Sequence, residues 1–113
     1  MEKITRITTF KQIKQIIEPI PANKFCINEY KNYKGQCCFL GHINMYIADH
    51  SAADHDVFGA RLLTEQFLLE EHGVYATGAD VNNGTYVKGY TEPIIKDRLM
   101  HMIEDGIKWE EAN

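Results

Sequence analysis

The sequence predicts a mainly α domain of the α+β kind, a compact bundle of about four helices with one short strand or hairpin element. Three observations predict it. Apolar residues recur at three- and four-residue steps in four separate stretches. Helix-stopping residues, Pro19 and Gly73, stand where two of those stretches end. Only one short stretch alternates as a strand would. The 113 residues, 44% apolar and 25% charged, have a globular composition and suffice for one core without staples. Residues 1–113 are therefore expected to form a single small domain.

At the start, Ile4, Arg6 and Ile7 are too few to assign. Thr8 or Thr9 offers an N-cap to a helix over 9–18. Phe10, Ile13, Ile17 and Ile20 share one face of it, Lys11 and Lys14 the other. Phe25 to Tyr30 alternates as a short strand, and Lys34-Gly35 reads as a turn. A second helix over 37–48 carries Cys38, Leu40, Ile43, Ile47 and Ala48, although Gly41 weakens it by ~1 kcal/mol relative to alanine.

Residues 49–56 form a polar loop ending in candidate caps, Asp54 or Asp56. A third helix over 56–72 carries Val57, Phe58, Leu62, Leu63, Phe67 and Leu69, and its wide apolar arc predicts the central helix. Glycines punctuate 73–90, with a turn signal at Asn82-Asn83-Gly84 and a β-prone Thr85-Tyr86-Val87, so a long loop or small hairpin is expected. Thr91 can cap a last helix over 91–109, with Pro93 in its first turn and Ile95, Leu99, Met102 or Ile103, and Ile107 inward. Glu104, Asp105, Glu110 and Glu111 oppose the dipole at its far end, which is expected to fray. The predicted core is Ile17, Ile43, Leu62, Phe67, Leu99 and Ile103.

The net charge of −4 divides unevenly. Residues 1–34 carry a balance of +4 and residues 35–113 a balance of −8. The favoured explanation is mutual attraction within one fold, ahead of a basic docking face. Cys26, Cys37 and Cys38 are odd in number and two are adjacent, which suits reduced thiols and a cytoplasmic location. The apolar runs are too short to span a bilayer, and the N-terminus lacks the apolar core of a signal peptide.

Catalytic strings such as G-x-S-x-G, the P-loop and H-E-x-x-H are absent. Cys38 and His42, four apart, would share a helix face as a metal half-site or Cys–His pair. Asp49-His50 and Asp54-His55-Asp56 mix imidazole and carboxylate, as divalent sites do, but match no calcium-loop spacing. A small core cysteine and a solvated capping loop explain the same residues more simply. Lys24, Lys31 and Lys34 around Tyr30 and Tyr33 could track a nucleic-acid strand. The acidity of the chain and the absence of arginine there disfavour it.

Two segments carry a family resemblance. One is Cys38-Phe39-Leu40-Gly41-His42-Ile43, preceded by Phe25 and the Lys34-Gly35 turn. The other is Val81-Asn82-Asn83-Gly84, then Gly89-Tyr90-Thr91 and Ile94-Ile95. Together they resemble a family of small uncharacterised bacterial and phage proteins with a C-x-x-G-A-L helix start and a W-N-D…G-R-T segment before the last helix. Here Phe25 and Val81 stand for tryptophans, His42 for alanine, Asn83 for aspartate and Tyr90 for arginine. The resemblance implies organisation and no activity.

The expected function is that of a small non-enzymatic interaction protein, phage or mobile-element encoded. It would bind a host protein or small ligand through the 78–90 loop, using Asn82, Asn83, Tyr86, Tyr90, Cys38 and His42. The alternative is a small enzyme or metal protein using Cys38 and His42 or His50, Asp54 and His55. No cofactor, metal or membrane partner is expected, and a homodimer is compatible with the sequence.

Overall fold

The computed structural model describes residues 4–50, 57–85, 87 and 89–113, the side chains of Asp49 and His50 excepted. Its helices are α1 (Phe10–Ile17), α2 (Phe39–His50), α3 (Val57–His72), α4 (Gly78–Asn83) and α5 (Ile95–Ala112), with a 3₁₀ turn at Ala22–Lys24. The mainly α class is as the periodicity predicted.

α1 begins where its sequence says. The Thr9 hydroxyl accepts the Gln12 amide at 3.2 Å and Gln12 Oε1 accepts the Thr9 amide at 3.1 Å, a reciprocal cap. Phe10, Ile13, Ile16 and Ile17 are buried, and the helix ends before Pro19. α1 packs on α2 and α5.

α5 is the central helix, in place of the predicted third. It packs against α1, α3, α4 and the 3₁₀ turn, with Leu99, Met102 and Ile103 fully buried. α3 instead lies at the side. It buries Ala60, Thr64, Phe67 and Leu68, while Phe58, Leu62 and Leu69 face outward, Leu62 at 48% exposure. The wide apolar arc of α3 misleads because full burial goes to Ala60, Thr64, Phe67 and Leu68, while Val57 and Leu63 are only partly buried against the core and the rest of the arc faces outward. Ile17, Ile43, Phe67, Leu99 and Ile103 are core residues as predicted.

The far end of α5 is tied to α1. Glu110 accepts the Phe10 amide with both oxygens, at 2.9 and 2.8 Å. Lys14 meets Glu104 at 2.8 Å and Lys11 meets Glu111 at 3.7 Å. Acids that oppose the dipole of their own helix thus serve the N-terminus and lysines of another. The helix runs to Ala112, beyond the predicted fraying point. These contacts also join the basic early segment to the acidic later one.

Two other expectations are corrected. The Phe25–Tyr30 strand reduces to an isolated bridge between Phe25 and Cys37, because Asn28 takes a left-handed conformation (φ 62°) that breaks the extended run. The 73–90 stretch contains α4 where a loop or hairpin was expected. Thr77 and Asp80 form a capping box, and Gly84 (φ 80°) closes the helix. The turn signal at Asn82-Asn83-Gly84 therefore marks a helix end. α5 starts at Ile95, not Thr91, because Arg98 Nη1 donates to the carbonyls of Glu92 and Pro93 at 3.0 and 3.2 Å and draws them out of a first turn.

Candidate functional site

Of the predicted site residues, Asn82, Asn83 and Cys38 meet where α4 abuts the start of α2, and Asn82 is the centre of the junction. Its side chain is fully buried. Its Oδ1 accepts the Phe39 amide at 2.9 Å, one of the unpaired donors of the first turn of α2. Its Nδ2 donates to the Cys26 carbonyl at 3.0 Å and to Asn83 Oδ1 at 3.0 Å. Asn83 Oδ1 also accepts the Asn28 amide at 2.9 Å. α4 is held from the other side by Arg98, 7% exposed, whose Nε donates to the Val81 carbonyl at 2.6 Å and whose Nη2 donates to that of Asn82. A buried guanidinium thus supplies donors to the carbonyl end of a short helix.

Cys38 stands just before α2. Its amide donates to the Glu29 carbonyl at 3.1 Å, and its sulfur accepts the Gly41 amide at 3.4 Å. Gly41 fits because the Tyr30 carbonyl lies directly on the helix there, where any Cβ would collide with it. The segment over α2 is closely held. The bridge around Phe25 and Cys37 is made by two backbone bonds, Cys26 N to Cys37 O and Cys37 N to Lys24 O, each at 3.0 Å. Asn32 Oδ1 accepts the amides of Lys34 and Gln36 at 2.9 and 3.0 Å. Yet Ile27, Tyr30 and Tyr33 project outward, Tyr33 at 92% exposure. A recess of about 220 Å³ opens beside them, lined by Asn28, Glu29, Tyr30, Cys38, Leu40 and Asn83.

His42 stays apart from this recess. Its Nε2 donates to the Lys24 carbonyl at 2.8 Å, and its ring meets Phe25 edge-on at 4.5 Å. Burial lowers its pKa below the ordinary imidazole value, and the bond to Lys24 opposes that only in part. Cys38 and His42 thus do separate local work. Burial likewise raises the Cys26 and Cys37 thiols above their usual range, away from the reactive thiolate form. All three cysteines are free. Among the described residues no group of three His, Cys, Asp or Glu side chains could hold a metal. Asp54 and His55, and the side chain of His50, lie outside the described residues, as does Tyr86.

Tyr90 belongs to a second cluster, which no local pattern announces. It is 1% exposed, so it offers no contact surface. Its hydroxyl donates to Asp105 Oδ2 at 2.9 Å and lies 2.9 Å from His72 Nε2. A hydroxyl has one proton, so with Asp105 as its acceptor the hydrogen between Tyr90 and His72 is carried by His72 Nε2. Burial, with Asp105 beside it, drives the Tyr90 hydroxyl far above its ordinary pKa. His101 extends the chain, with Nδ1 at 2.9 Å from Glu92 and Nε2 at 3.6 Å from Asp105. His72, Asp105 and Arg98 were missed because their partners are 15 or more residues away in sequence or are backbone carbonyls.

Comparison with protein-family models, curated proteins and solved structures found no match. No helix among the described residues is long and apolar enough to cross a membrane.

Proposed function

We propose that this chain is a small non-enzymatic interaction protein of the phage or mobile-element kind, acting in a reducing cytoplasm on a host protein. One observation supports this above the rest. The 26–37 segment is fixed by its own backbone bonds, by Asn83 and by contact with Gly41, yet shows Ile27, Tyr30 and Tyr33 to solvent. Aromatic side chains on an already ordered backbone bind at low entropic cost. The surface offered is therefore this segment and its recess with Asn83, neighbouring the 78–90 stretch without depending on the buried Asn82 and Tyr90. Three free thiols support the reducing compartment, and the two resembling segments support the phage link.

The test is a pull-down from cells that carry the gene, comparing the wild type with Tyr30→Ala/Tyr33→Ala and with Phe58→Ala as a control on another face. A partner retained by the control and lost by the double variant, with thermal midpoints unchanged, is the expected result. Equal capture by all three would refute the assignment of this surface.

A further inference from the structure

A second cleft, of about 300 Å³, lies between the end of α3 and the last turns of α5. It is lined by Phe67, Glu71, His72, Asp105, Lys108 and Trp109. We propose that this cleft binds a small organic cation, an alkylammonium or guanidinium with an apolar body.

Three features of the lining favour positive charge. Glu71 and Asp105 bring two carboxylates, and only one oxygen of Asp105 is engaged by Tyr90. α3 ends at His72, followed by Gly73 in the left-handed conformation (φ 67°), so the negative end of its dipole faces the cleft. Half-buried Trp109, set edge-on at 5.6 Å against the buried Phe67 ring, supplies an aromatic wall of the kind that attracts cations. Lys108 is the one cation among the described lining residues. The fixed relay from Tyr90 to Asp105 and His72 gives the site its rigidity, since a half-buried carboxylate held by a buried hydroxyl needs no rearrangement to bind.

The experiment uses the chain's single tryptophan, Trp109, as reporter. n-Butylammonium and n-butylguanidinium are titrated against intrinsic fluorescence, with n-butanol and butyrate as controls of similar size. A saturable change with the two cations and none with the controls is expected. Glu71→Gln and Asp105→Asn, the latter still able to accept from Tyr90, should each weaken binding about tenfold. Lys108→Ala should strengthen it about threefold by removing a like charge. Butanol saturating as the cations do, no saturable change at all, or unchanged affinity in both carboxamide variants would overturn the proposal. Because Glu71 lies far from the Tyr30 surface in sequence and in lining, this outcome is independent of the pull-down.

Discussion

The side-chain oxygen of Asn82 accepts the amide of Phe39 at 2.9 Å, so a residue at the end of one helix caps the beginning of another 43 positions earlier. Asn82→Ala removes that acceptor and also the donor to the Cys26 carbonyl. Both orphaned groups are buried or half-buried, and the expected loss is about 2 kcal/mol by urea denaturation. Asn82→Asp keeps the acceptor but sets a carboxylate against a carbonyl, so it should not rescue. Wild-type stability in Asn82→Ala would mean that the cap contributes nothing.

Gly41→Ala should displace the Tyr30 carbonyl from α2. Overpacking of this kind costs ~1–3 kcal/mol. The signature is local. Hydrogen exchange at the Cys38 amide, which donates to Glu29, should accelerate ahead of exchange in α5. Uniform acceleration through the whole chain would instead point to a global defect.

Leu62→Ala, at a half-exposed position, should change stability by under about 1 kcal/mol. Leu68→Ala, fully buried on the same helix, should cost ~2–5 kcal/mol. Thermal midpoints of the pair decide whether α3 lies as described. Equal costs would place Leu62 in the core, as its helical spacing first suggested.

Tyr90→Phe removes one hydroxyl shared by Asp105 and His72 and should cost about 1 kcal/mol. Tyr90→Ala empties a fully buried site and should cost ~3–5 kcal/mol, so it is no probe of a binding surface. A Tyr90→Ala protein with a wild-type midpoint would contradict its burial.

His42 gives the chain a pH dependence of stated sign. Its folded pKa lies below the ordinary value of 6.5, chiefly because burial disfavours the imidazolium. As pH falls through 6.5, the unfolded chain takes a proton that the folded chain refuses, so stability is full above that value and declines below it. His42→Gln keeps an N–H for the Lys24 carbonyl and cannot titrate. Its unfolding free energy should fall less steeply between pH ~6.5 and 5 than that of the wild type. Identical slopes would leave no such role for His42.

What the sequence revealed and what it hid follow from the range of each interaction. α1 is legible because its cap, its apolar face and its stop at Pro19 lie within about a dozen residues. α4 was hidden because Gly78 and the Asn-Asn-Gly run resemble a turn, while its support comes from Thr64, whose hydroxyl accepts the Gly78 amide at 2.9 Å, and from Arg98. The sequence points to Asn82 and Cys38 together, and Asn82 caps the start of α2 next to Cys38. That the amide is buried, and so faces no partner, depends on a backbone approach no periodicity encodes. The His72–Tyr90–Asp105 cluster joins three segments and left no trace in any one of them.

The segment over Gly41 is held by its main chain and by the side chains of Asn32, Asn83 and Gln36, none of them its outward residues. Ile27, Tyr30 and Tyr33 could therefore be exchanged with little consequence for folding. Recognition and architecture are written in different letters of the same twelve-residue stretch. A chain built this way can change what it meets by replacing two or three side chains, and a selection experiment that randomises only those positions would be sampling partners on a constant frame.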